Sequence, residues 1–364
     1  MSIPQAAARS DSPRTDFAVR LGEYKQAIDA DLAAYSAHVA ATTRQQYGPY
    51  AGLTTDTFLD MLQRGGKRIR GALTMAGYEM CGGTDRTMIV RAATAIEMMH
   101  AYILMIDDIQ DRSSLRRGKS TAHVQLAAYH RKHKLLGDAD HAGVSLALDA
   151  AVGGMHAAQM LFAGLNVDAE LRMKAIGIVN LTMLITAHGQ TYDIMNELEP
   201  DIDSQNIERA MEWKTAHYTF LNPLCVGMVL AGAGCEKTDA IRDYALHAGL
   251  AFQITDDIIG VFGDESSSGK HIMDDIREGK RTLLTAYALE HAAPADRMVL
   301  REALGNASLT QAEFERCRRV IEECGARDAA RVRADKHVVQ ALASLEKNRH
   351  HWNDAGVEFL RDLA

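Results

Sequence analysis

Two clusters of aspartate residues stand far apart in the chain, and each one follows a long apolar stretch. The first cluster, DDIQD, occupies positions 107–111, and the second is the pair Asp256-Asp257. Asp107 and Asp111 are four positions apart, so on a helix their carboxylates share one face, with Cβ atoms about 5–6 Å apart. Mg²⁺ prefers oxygen ligands and commonly shares them with substrate phosphates. The two clusters therefore predict a magnesium site that binds a diphosphate.

Basic residues accompany both clusters. Arg116 and Arg117 follow the first cluster, and a glycine-punctuated segment after the second carries Lys270 and Lys280. Carboxylates crowded at a helix C-terminus repel one another and face the negative end of the helix dipole, so they need cations nearby. Metal ions and these basic side chains can supply the compensating charge together.

The elements that must position these residues are predicted to be helices. Residues 86–111 contain no Gly or Pro and are apolar on nearly every side after Ala92, which is typical of a helix buried in a large core. In the apolar segment 250–259, Gln253 is spaced by three and four from the aspartate pair, so these polar groups share one side. If the two helices face each other, metal ions and a diphosphate fit between them, capped by Lys270 and Lys280.

Composition indicates an all-α fold in a single domain. The chain has 364 residues, only 6 prolines and 47% hydrophobic residues, and few stretches alternate in the way that strands require. Its length exceeds the usual size of one core, but no Pro/Ser-rich linker divides it. We predict a disordered tail over residues 1–15, because it has no apolar core, and one helical domain over residues 16–364.

Charge and cysteine content restrict the partners and the compartment. The chain carries 40 basic and 48 acidic residues, which give no overall cationic field and argue against a nucleic-acid partner. The 5 cysteines are odd in number and show no CxxC spacing, which indicates free thiols in a reducing compartment. No run of about 18 apolar residues occurs, so we expect no transmembrane segment and a cytoplasmic location.

The order of the motifs resembles that of the trans-isoprenyl diphosphate synthases, the family that condenses isopentenyl diphosphate with an allylic diphosphate. The resemblance extends from about Asp56 to the C-terminal helices. A lone DDxxD would be weak evidence, whereas an ordered set of motifs is specific. The set consists of Gly65-Gly66-Lys67-Arg68-Ile69-Arg70, His100, the first aspartate cluster with Arg116-Arg117-Gly118, Gly189-Gln190 with Asp193, Lys214-Thr215, Phe252-Gln253 before the second cluster, Gly269-Lys270 and Gly279-Lys280.

The resemblance implies a helical bundle around a central prenyl cavity, a homodimer, and a role for each motif residue. The Mg²⁺ ligands would be Asp107, Asp108, Asp111, Asp256 and Asp257. The cations on the allylic diphosphate would be Arg116, Lys214, Lys270 and Lys280. The isopentenyl diphosphate site would consist of Lys67, Arg70, His100 and Arg117. The second site carries no metal in the family, so its cations must neutralise the diphosphate directly.

These roles predict a mechanism of ionisation followed by condensation. Contacts that strengthen as charge accumulates on the departing diphosphate stabilise the transition state more than the ground state. Dipoles near Lys214, Thr215 and Gln253 can stabilise the allylic cation, which the isopentenyl double bond attacks. The resemblance implies that the released diphosphate accepts the final proton.

Product length is predicted from the residues upstream of the first cluster. Tyr102 precedes Asp107 by five residues, about 7.5 Å along a helix, and its bulk can stop elongation. The neighbouring Ile103 is not a second aromatic, and the cluster has no inserted residue. This combination is similar to geranylgeranyl diphosphate synthases; a farnesyl diphosphate synthase is the nearer alternative, and a longer-chain synthase the more distant one.

Some features depart from the pattern or stay open. Gly260 stands where many relatives have a third aspartate, which puts the third metal ligand of the second cluster in doubt. We interpret Asp274 and Asp275 as surface charges. Gln190 and Asp193 are either catalytic groups or structural polar groups inside the bundle.

Two other classes of protein compete with a chain-elongating synthase. A terpene cyclase needs the metal site but no second diphosphate site, and it usually carries an Asn/Ser/Glu metal triad that the sequence lacks. A non-catalytic subunit of a heteromeric synthase tends to lose its acidic motifs, which are intact here.

Overall fold

Helices form nearly all of the regular structure, which confirms the predicted all-α class. A computed structural model describes residues 12–199, 203–263 and 272–364. The α-helices are α1 (Ser12–Tyr47), α2 (Pro49–Gln63), α3 (Ile69–Met80), α4 (Arg86–Gln110), α5 (Ala122–Lys132), α6 (Ala139–Ala163), α7 (Ala169–Leu198), α8 (Ser204–Ala210), α9 (Asn222–Leu230), α10 (Cys235–Ala240), α11 (Arg242–Phe262), α12 (Asp274–Glu278), α13 (Leu283–His291), α14 (Pro294–Ala303), α15 (Gln311–Glu323), α16 (Ala326–Lys347) and α17 (Asp354–Leu363).

Four further elements occur among the described residues: a π-helix, a 3₁₀-helix and two short strands. A π-helix, Met211–Leu221, joins α8 to α9, and a short 3₁₀-helix, Arg349–His351, precedes α17. Strands β1 (Leu115–Arg116) and β2 (Lys119–Ser120) pair in an antiparallel hairpin directly after α4. The hairpin turns the chain back, so that Arg116 can face the aspartates at the end of that helix.

The first helix begins earlier than the sequence suggested. We expected a tail over residues 1–15, but α1 begins at Ser12, so residues 12–15 belong to the helix. A proline in the first turn of a helix leaves no backbone hydrogen bond unmade, so Pro13 is compatible with this start. Residues 1–11 lie outside the described part of the chain.

The core surrounds α4. Its residues Ala92, Ile96 and Met99 are buried, and α4 packs against α1, α2, α3, α6 and α9. A smaller apolar cluster lies among α13 to α16. Helix α11 contributes to both clusters, with Tyr244 in the larger one and Ile254 in the smaller one. Both helices that carry the aspartate clusters, α4 and α11, are thus held in place by packing in the apolar core.

Glycines allow two long helices to approach the π-helix closely. A Cβ atom at Gly189 of α7 would overlap the backbone nitrogen of Lys214, and one at Gly249 of α11 would lie 2.5 Å from the Cα atom of Ala216. Because any side chain at these positions would push the π-helix away, the glycines set its distance from α7 and α11. The motif Lys214-Thr215 is therefore positioned by packing against two helices.

Two of the described helices, α4 and α6, are long and apolar enough to cross a membrane by length and hydropathy alone. The most apolar window of α4 is 67% buried, as expected for a core helix, whereas that of α6 is 33% buried. Two such helices are weak evidence for membrane insertion.

Candidate active site

Both aspartate clusters open onto one cavity of about 860 Å³, bordered by α3, α4, α7, the π-helix and α11. The apolar part of its wall includes Leu104 and Phe252. The residues singled out from the sequence that line this cavity are Lys67, Arg70, His100, Asp107, Arg116, Arg117, Lys214, Thr215, Gln253, Asp256, Asp257 and Lys280. Residues more than two hundred positions apart in the chain, such as Lys67 and Lys280, thus meet at one site.

The three carboxylates of the first cluster point in different directions. Asp107 faces the cavity, with one oxygen 3.2 Å from Nη2 of Arg116 and the other 3.3 Å from Nζ of Lys214. Asp108 is fully buried and accepts a hydrogen bond of 2.7 Å from Nε of Arg116. Asp111 accepts one of 2.9 Å from Nζ of Lys280. Neither Asp108 nor Asp111 belongs to the cavity wall.

The cations around the first cluster remain charged in spite of their burial. Desolvation favours the neutral amine of Lys214, but Asp107 and Asp193 outweigh it and raise the pKa of this group. The pKa of Lys280 is likewise raised well above its usual value, because Asp111 and other carboxylates overcome the desolvation. The ammonium groups of Lys214 and Lys280 therefore stay charged, and both line the cavity, where they can bind an anion.

The second cluster is linked to the π-helix by hydrogen bonds. Thr215 Oγ1 donates to Gln253 Oε1 at 2.7 Å, and Gln253 Nε2 donates to Asp257 Oδ1 at 2.7 Å. Desolvation, with repulsion from Asp275 and Asp256, raises the pKa of Asp257 well above its usual value. The carboxylates on this side of the cavity thus repel one another, and a cation would relieve the repulsion.

The donor set suits a hard divalent cation that is shared with a substrate. Among the described residues, no three His, Cys, Asp or Glu side chains are arranged to hold one metal ion by themselves. Mg²⁺ commonly takes only one or two carboxylates from the protein and completes its coordination with water and substrate phosphates. Asp107 on one wall and Asp256 and Asp257 on the other fit that pattern, since each wall offers oxygens to an ion that a diphosphate would bridge.

A second basic pocket lies beside the metal-binding walls. Arg70 contacts Nε2 of His100 at 3.2 Å and donates to Oγ1 of Thr219 at 2.7 Å. Its guanidinium also lies 4.5 Å from the centroid of the Tyr218 ring, a cation–π distance. Burial and the neighbouring arginines, Arg70 and Arg117 first among them, hold the pKa of His100 well below its usual range. His100 is therefore neutral, and the positive charge of the pocket comes from the guanidinium groups.

The glycine-rich turn before α3 makes room for Arg117. Gly66 has a φ of +136°, and a Cβ atom there would lie 2.8 Å from Nη2 of Arg117. Arg117 also donates to the carbonyl of Gly65. Arg68 in the same turn is buried and donates to Asp29 at 2.8 Å, which anchors the turn to α1. The turn thus presents Lys67 to the cavity and leaves space for the Arg117 side chain, which also lines the cavity.

The predicted product-length residues do not line the cavity. Tyr102 is buried, and its hydroxyl donates to Sδ of Met183 on α7 at 3.3 Å. Burial raises the pKa of Tyr102 to about 12. Ile103 packs against the larger core cluster, while the next residue, Leu104, is the one in the cavity wall. Lys270 lies outside the described residues.

The structure adds residues that the sequence reading did not place at the site. Asp193, for which the sequence allows either a catalytic or a structural role, lines the cavity and accepts a hydrogen bond of 2.6 Å from Nζ of Lys214. The interpretation of Asp275 as a surface charge is wrong, because it lines the cavity beside Gly260. Tyr218 was not predicted. Its position on the same π-helix, four residues after Lys214, was the signal that could have identified it.

A helical bundle with two acidic walls and a separate basic pocket defines a class of diphosphate-binding prenyltransferases. The chain matches the polyprenyl synthetase family over residues 53–321, and it belongs to that family. It is therefore a prenyltransferase that acts as a prenyl diphosphate synthase.

The relatives make different products. The chain is 31% identical to the geranylgeranyl diphosphate synthase of Saccharolobus solfataricus over 299 residues. This alignment covers 82% of this chain and 80% of the relative. It is 32% identical to the geranylfarnesyl diphosphate synthase of Aeropyrum pernix, and the alignment covers 79% of this chain and 86% of that relative. The crystal structure of geranylgeranyl pyrophosphate synthase from Corynebacterium glutamicum, complexed with isoprenyl diphosphate and magnesium, matches with a TM-score of 0.88 and 28% identity, over 94% of this chain and 97% of that chain.

Proposed function

We propose that this enzyme condenses isopentenyl diphosphate head to tail with allylic diphosphates and that its main product is geranylgeranyl diphosphate. The observation that supports this most directly is the presence of two anion-binding regions in one cavity. Lys214 and Lys280 lie beside the aspartates, and Arg70 and Arg117 form a separate basic pocket. A terpene cyclase would need the first region and not the second.

The cofactor in this proposal is Mg²⁺. Its ligands would be Asp107, Asp111, Asp256 and Asp257, with Asp108 holding Arg116 in place from behind. Burial, together with repulsion from Asp275 and Asp256, raises the pKa of Asp257, and this repulsion between carboxylates favours a bound cation. The related Corynebacterium glutamicum enzyme was solved with magnesium. When bound, the ion supplies positive charge to the leaving diphosphate.

The residues of the chain would act by binding, orientation and charge. Arg116, Lys214 and Lys280 would contact the allylic diphosphate, and Lys270 would be a further cation from outside the described residues. Their contacts strengthen as negative charge accumulates on the leaving group, so they stabilise the ionisation transition state.

The oxygens of Thr215 and Gln253 would face the allylic cation, because both line the cavity and are oriented by a shared hydrogen bond. Lys67, Arg70 and Arg117 would hold the diphosphate of isopentenyl diphosphate. His100 would steady Arg70 from the same pocket. The released diphosphate would accept the final proton, so no side chain is needed as a general base.

The product in this proposal follows from the wall upstream of Asp107. Tyr102 and Ile103 would form the layer behind the cavity wall at Leu104 and so limit how far a prenyl chain can grow, with Met183 of α7 in contact with the tyrosine hydroxyl. A farnesyl or a longer product would require the chain to stop before or pass beyond this layer.

A second copy of the chain would cover the apolar face of α6 and α7. On these helices Val152, Leu181 and Leu184 are 49%, 59% and 55% exposed. Apolar side chains concentrated on adjacent helices are typical of a protein–protein interface. We therefore propose a homodimer through α6 and α7.

The five cysteines are all free thiols, which supports a cytoplasmic location.

The test is an assay of the purified protein with labelled isopentenyl diphosphate, Mg²⁺, and dimethylallyl, geranyl or farnesyl diphosphate in turn. The dephosphorylated products are sized by chromatography. We expect geranylgeraniol from each primer and no label in product when the metal is chelated. Consumption of an allylic primer without incorporation of isopentenyl label would instead support a cyclase. A product of another length would overturn only the length assignment.

A further inference from the structure

The connection between α5 and α6 presents two adjacent leucines to solvent. Leu136 is 98% exposed and Leu135 is 49% exposed. Exposed apolar residues that are scattered singly need no explanation, but two neighbours at the end of a loop form an apolar surface that folding leaves uncovered. We call residues 131–136, with the sequence RKHKLL, the leucine tip.

Hydrogen bonds hold the leucine tip in one conformation. The ring of His130 is buried, and its Nε2 atom donates to the carbonyl oxygen of Leu136 at 3.0 Å. The backbone N–H groups of Leu135 and Lys134 donate to the carbonyls of His130 and Arg131, both at 3.2 Å, and Lys134 has a φ of +51°. This pair of bonds around a left-handed residue is a Schellman motif, which usually has glycine in that place. A defined turn therefore exposes the leucines.

Basic side chains accompany the leucines. No acidic residue occurs between positions 129 and 137, although the whole chain has a net charge of -8. Lys132 and Lys134 are exposed, and neither forms a salt bridge with the part of the chain that the structure describes. The tip thus combines positive charge with aliphatic surface.

The two acidic residues that follow the tip are occupied by other contacts. Asp138 caps α6, because its Oδ1 atom accepts hydrogen bonds of 2.8 and 3.3 Å from the backbone N–H groups of residues 140 and 141. The carboxylate of Asp140 pairs with Nη2 of Arg131 at 2.6 Å. The ammonium groups of Lys132 and Lys134 are therefore the uncompensated charges of the tip.

This combination matches a lipid surface that carries anionic head groups. Leucine side chains gain free energy when they leave water for the acyl region, and long lysine side chains allow their ammonium groups to stay at the level of the phosphates. Anionic lipids attract such lysines. The cores of protein–protein interfaces are instead enriched in aromatic residues and arginine and depleted of lysine. A lipid surface therefore suits the tip better than a protein partner does.

The tip is separated from the active site by one short helix. Helix α5 begins two residues after β2, in the hairpin that carries Arg116, and its 11 residues span about 16 Å. A prenyl diphosphate has an apolar chain and an anionic head, so it partitions into the same kind of surface. An enzyme docked through the tip would release its product beside that surface.

We propose that the leucine tip docks the protein on an anionic membrane surface. Leu135 and Leu136 enter the acyl region, and Lys132 and Lys134 contact the phosphates of the head groups. This inference goes beyond the condensation proposed above. Docking needs neither Mg²⁺ nor a substrate, so it is measured without them, and its failure would leave the proposed synthase activity untouched.

The experiment measures co-sedimentation of the full chain with vesicles of phosphatidylcholine alone or of equal parts phosphatidylcholine and phosphatidylglycerol. We expect the unaltered protein to bind the mixed vesicles about 10-fold more tightly, and added salt to weaken this binding. Leu135→Ser/Leu136→Ser should weaken it by about 10-fold or more. Lys132→Gln/Lys134→Asn should remove the preference for the mixed vesicles, at about 5-fold per lysine. Asparagine is used at position 134 because it tolerates a positive φ.

Two control variants change exposed residues of α16. Val332→Ser removes an aliphatic side chain that is 68% exposed, and Lys336→Gln/Lys347→Gln removes two exposed ammonium groups. Both should bind the mixed vesicles as the unaltered protein does. Losses equal to those of the tip variants would show that the tip has no special role and would overturn the inference.

The remaining outcomes also decide the inference. Equal binding of the unaltered protein to both kinds of vesicle, or unchanged binding by the double leucine variant, would overturn it. Light scattering of the same variant tests the other occupant: a change in oligomeric state would assign the tip to a second copy of the chain instead of a membrane. If the double leucine variant has a lowered melting temperature, the double lysine variant decides.

Discussion

The Nε2 atom of His100 lies 3.2 Å from Nη1 of Arg70. A guanidinium can only donate, so this ring nitrogen must accept, and we assign the proton of the neutral ring to Nδ1. Nδ1 in turn lies 3.0 Å from the hydroxyl of Tyr218, to which it donates. His100 therefore acts on the basic pocket by orienting Arg70, while the guanidinium supplies the charge.

Replacing His100 should affect one substrate more than the other. His100→Phe leaves a buried Arg70 donor without its acceptor, which costs about 1–3 kcal/mol. We expect the KM for isopentenyl diphosphate to rise about 10-fold, with little change in the KM for the allylic substrate. His100→Gln keeps an acceptor and is the matched control, with a smaller effect in steady-state kinetics. Equal increases in both KM values would contradict an orienting role in this pocket.

Asp107→Ala should lower turnover by orders of magnitude while the fold persists. Asp107 is the carboxylate of the first cluster that faces the cavity, and its loss also removes an ion-pair partner from Arg116 and Lys214. Turnover is measured with saturating Mg²⁺, and the helical content by circular dichroism. Asp335→Ala, on the exposed side of α16, controls for the loss of one negative charge. Unchanged turnover would refute the metal assignment.

Tyr102→Ala should lengthen the product. The substitution removes a buried aromatic ring one layer below the cavity, at a cost of about 3 kcal/mol in the free energy of unfolding. Tyr102→Phe keeps the ring and removes only the hydroxyl that contacts Met183, so its product should be unchanged. Chromatography of the dephosphorylated products distinguishes the two. If Tyr102→Ala gives the same distribution as the unaltered enzyme, Tyr102 does not form the floor.

Acid should destabilise the protein through His337. Burial, together with His247 of α11 and with Arg333 and Lys336 of its own helix, lowers the pKa of His337 from 6.5 to about 4. A lowered pKa means that the unfolded chain takes up the proton first, so the contribution of His337 is complete above about pH 6.5 and is lost as the pH falls toward 4. Urea unfolding across this range should show a shallower decline for His337→Gln. Parallel curves would contradict this role.

Gly189→Ala should lower both stability and turnover. A Cβ atom there would overlap the backbone of Lys214, so α7 and the π-helix must separate and Lys214 moves relative to the cavity. Gly22→Ala on α1 is the control, because a Cβ atom at Gly22 meets nothing within 4 Å. It should stabilise the exposed helix by about 0.5–1 kcal/mol. Thermal melts and steady-state rates measure both effects; an unchanged melting temperature for Gly189→Ala would contradict the packing argument.

The amino-acid sequence by itself determined the helical class and the position of both aspartate clusters near helix ends. The reason is that periodicity, glycine and proline placement, and the order of motifs are local properties. Residues 86–111 predicted a buried helix, and α4 is Arg86–Gln110. The position of Asp107 in the last turn of α4 likewise needed no partner segment.

Only the tertiary structure decided which side chains face the cavity and what fills the spaces between elements. Asp107 and Asp108 are neighbours in the chain, yet one lines the cavity and the other is fully buried against Arg116. Asp275 reaches the second cluster because α12 packs beside Gly260, which no local pattern encodes. The physical reason is that burial, pKa shifts and steric exclusion depend on distances between segments remote in sequence, and these distances exist only after the helices have packed.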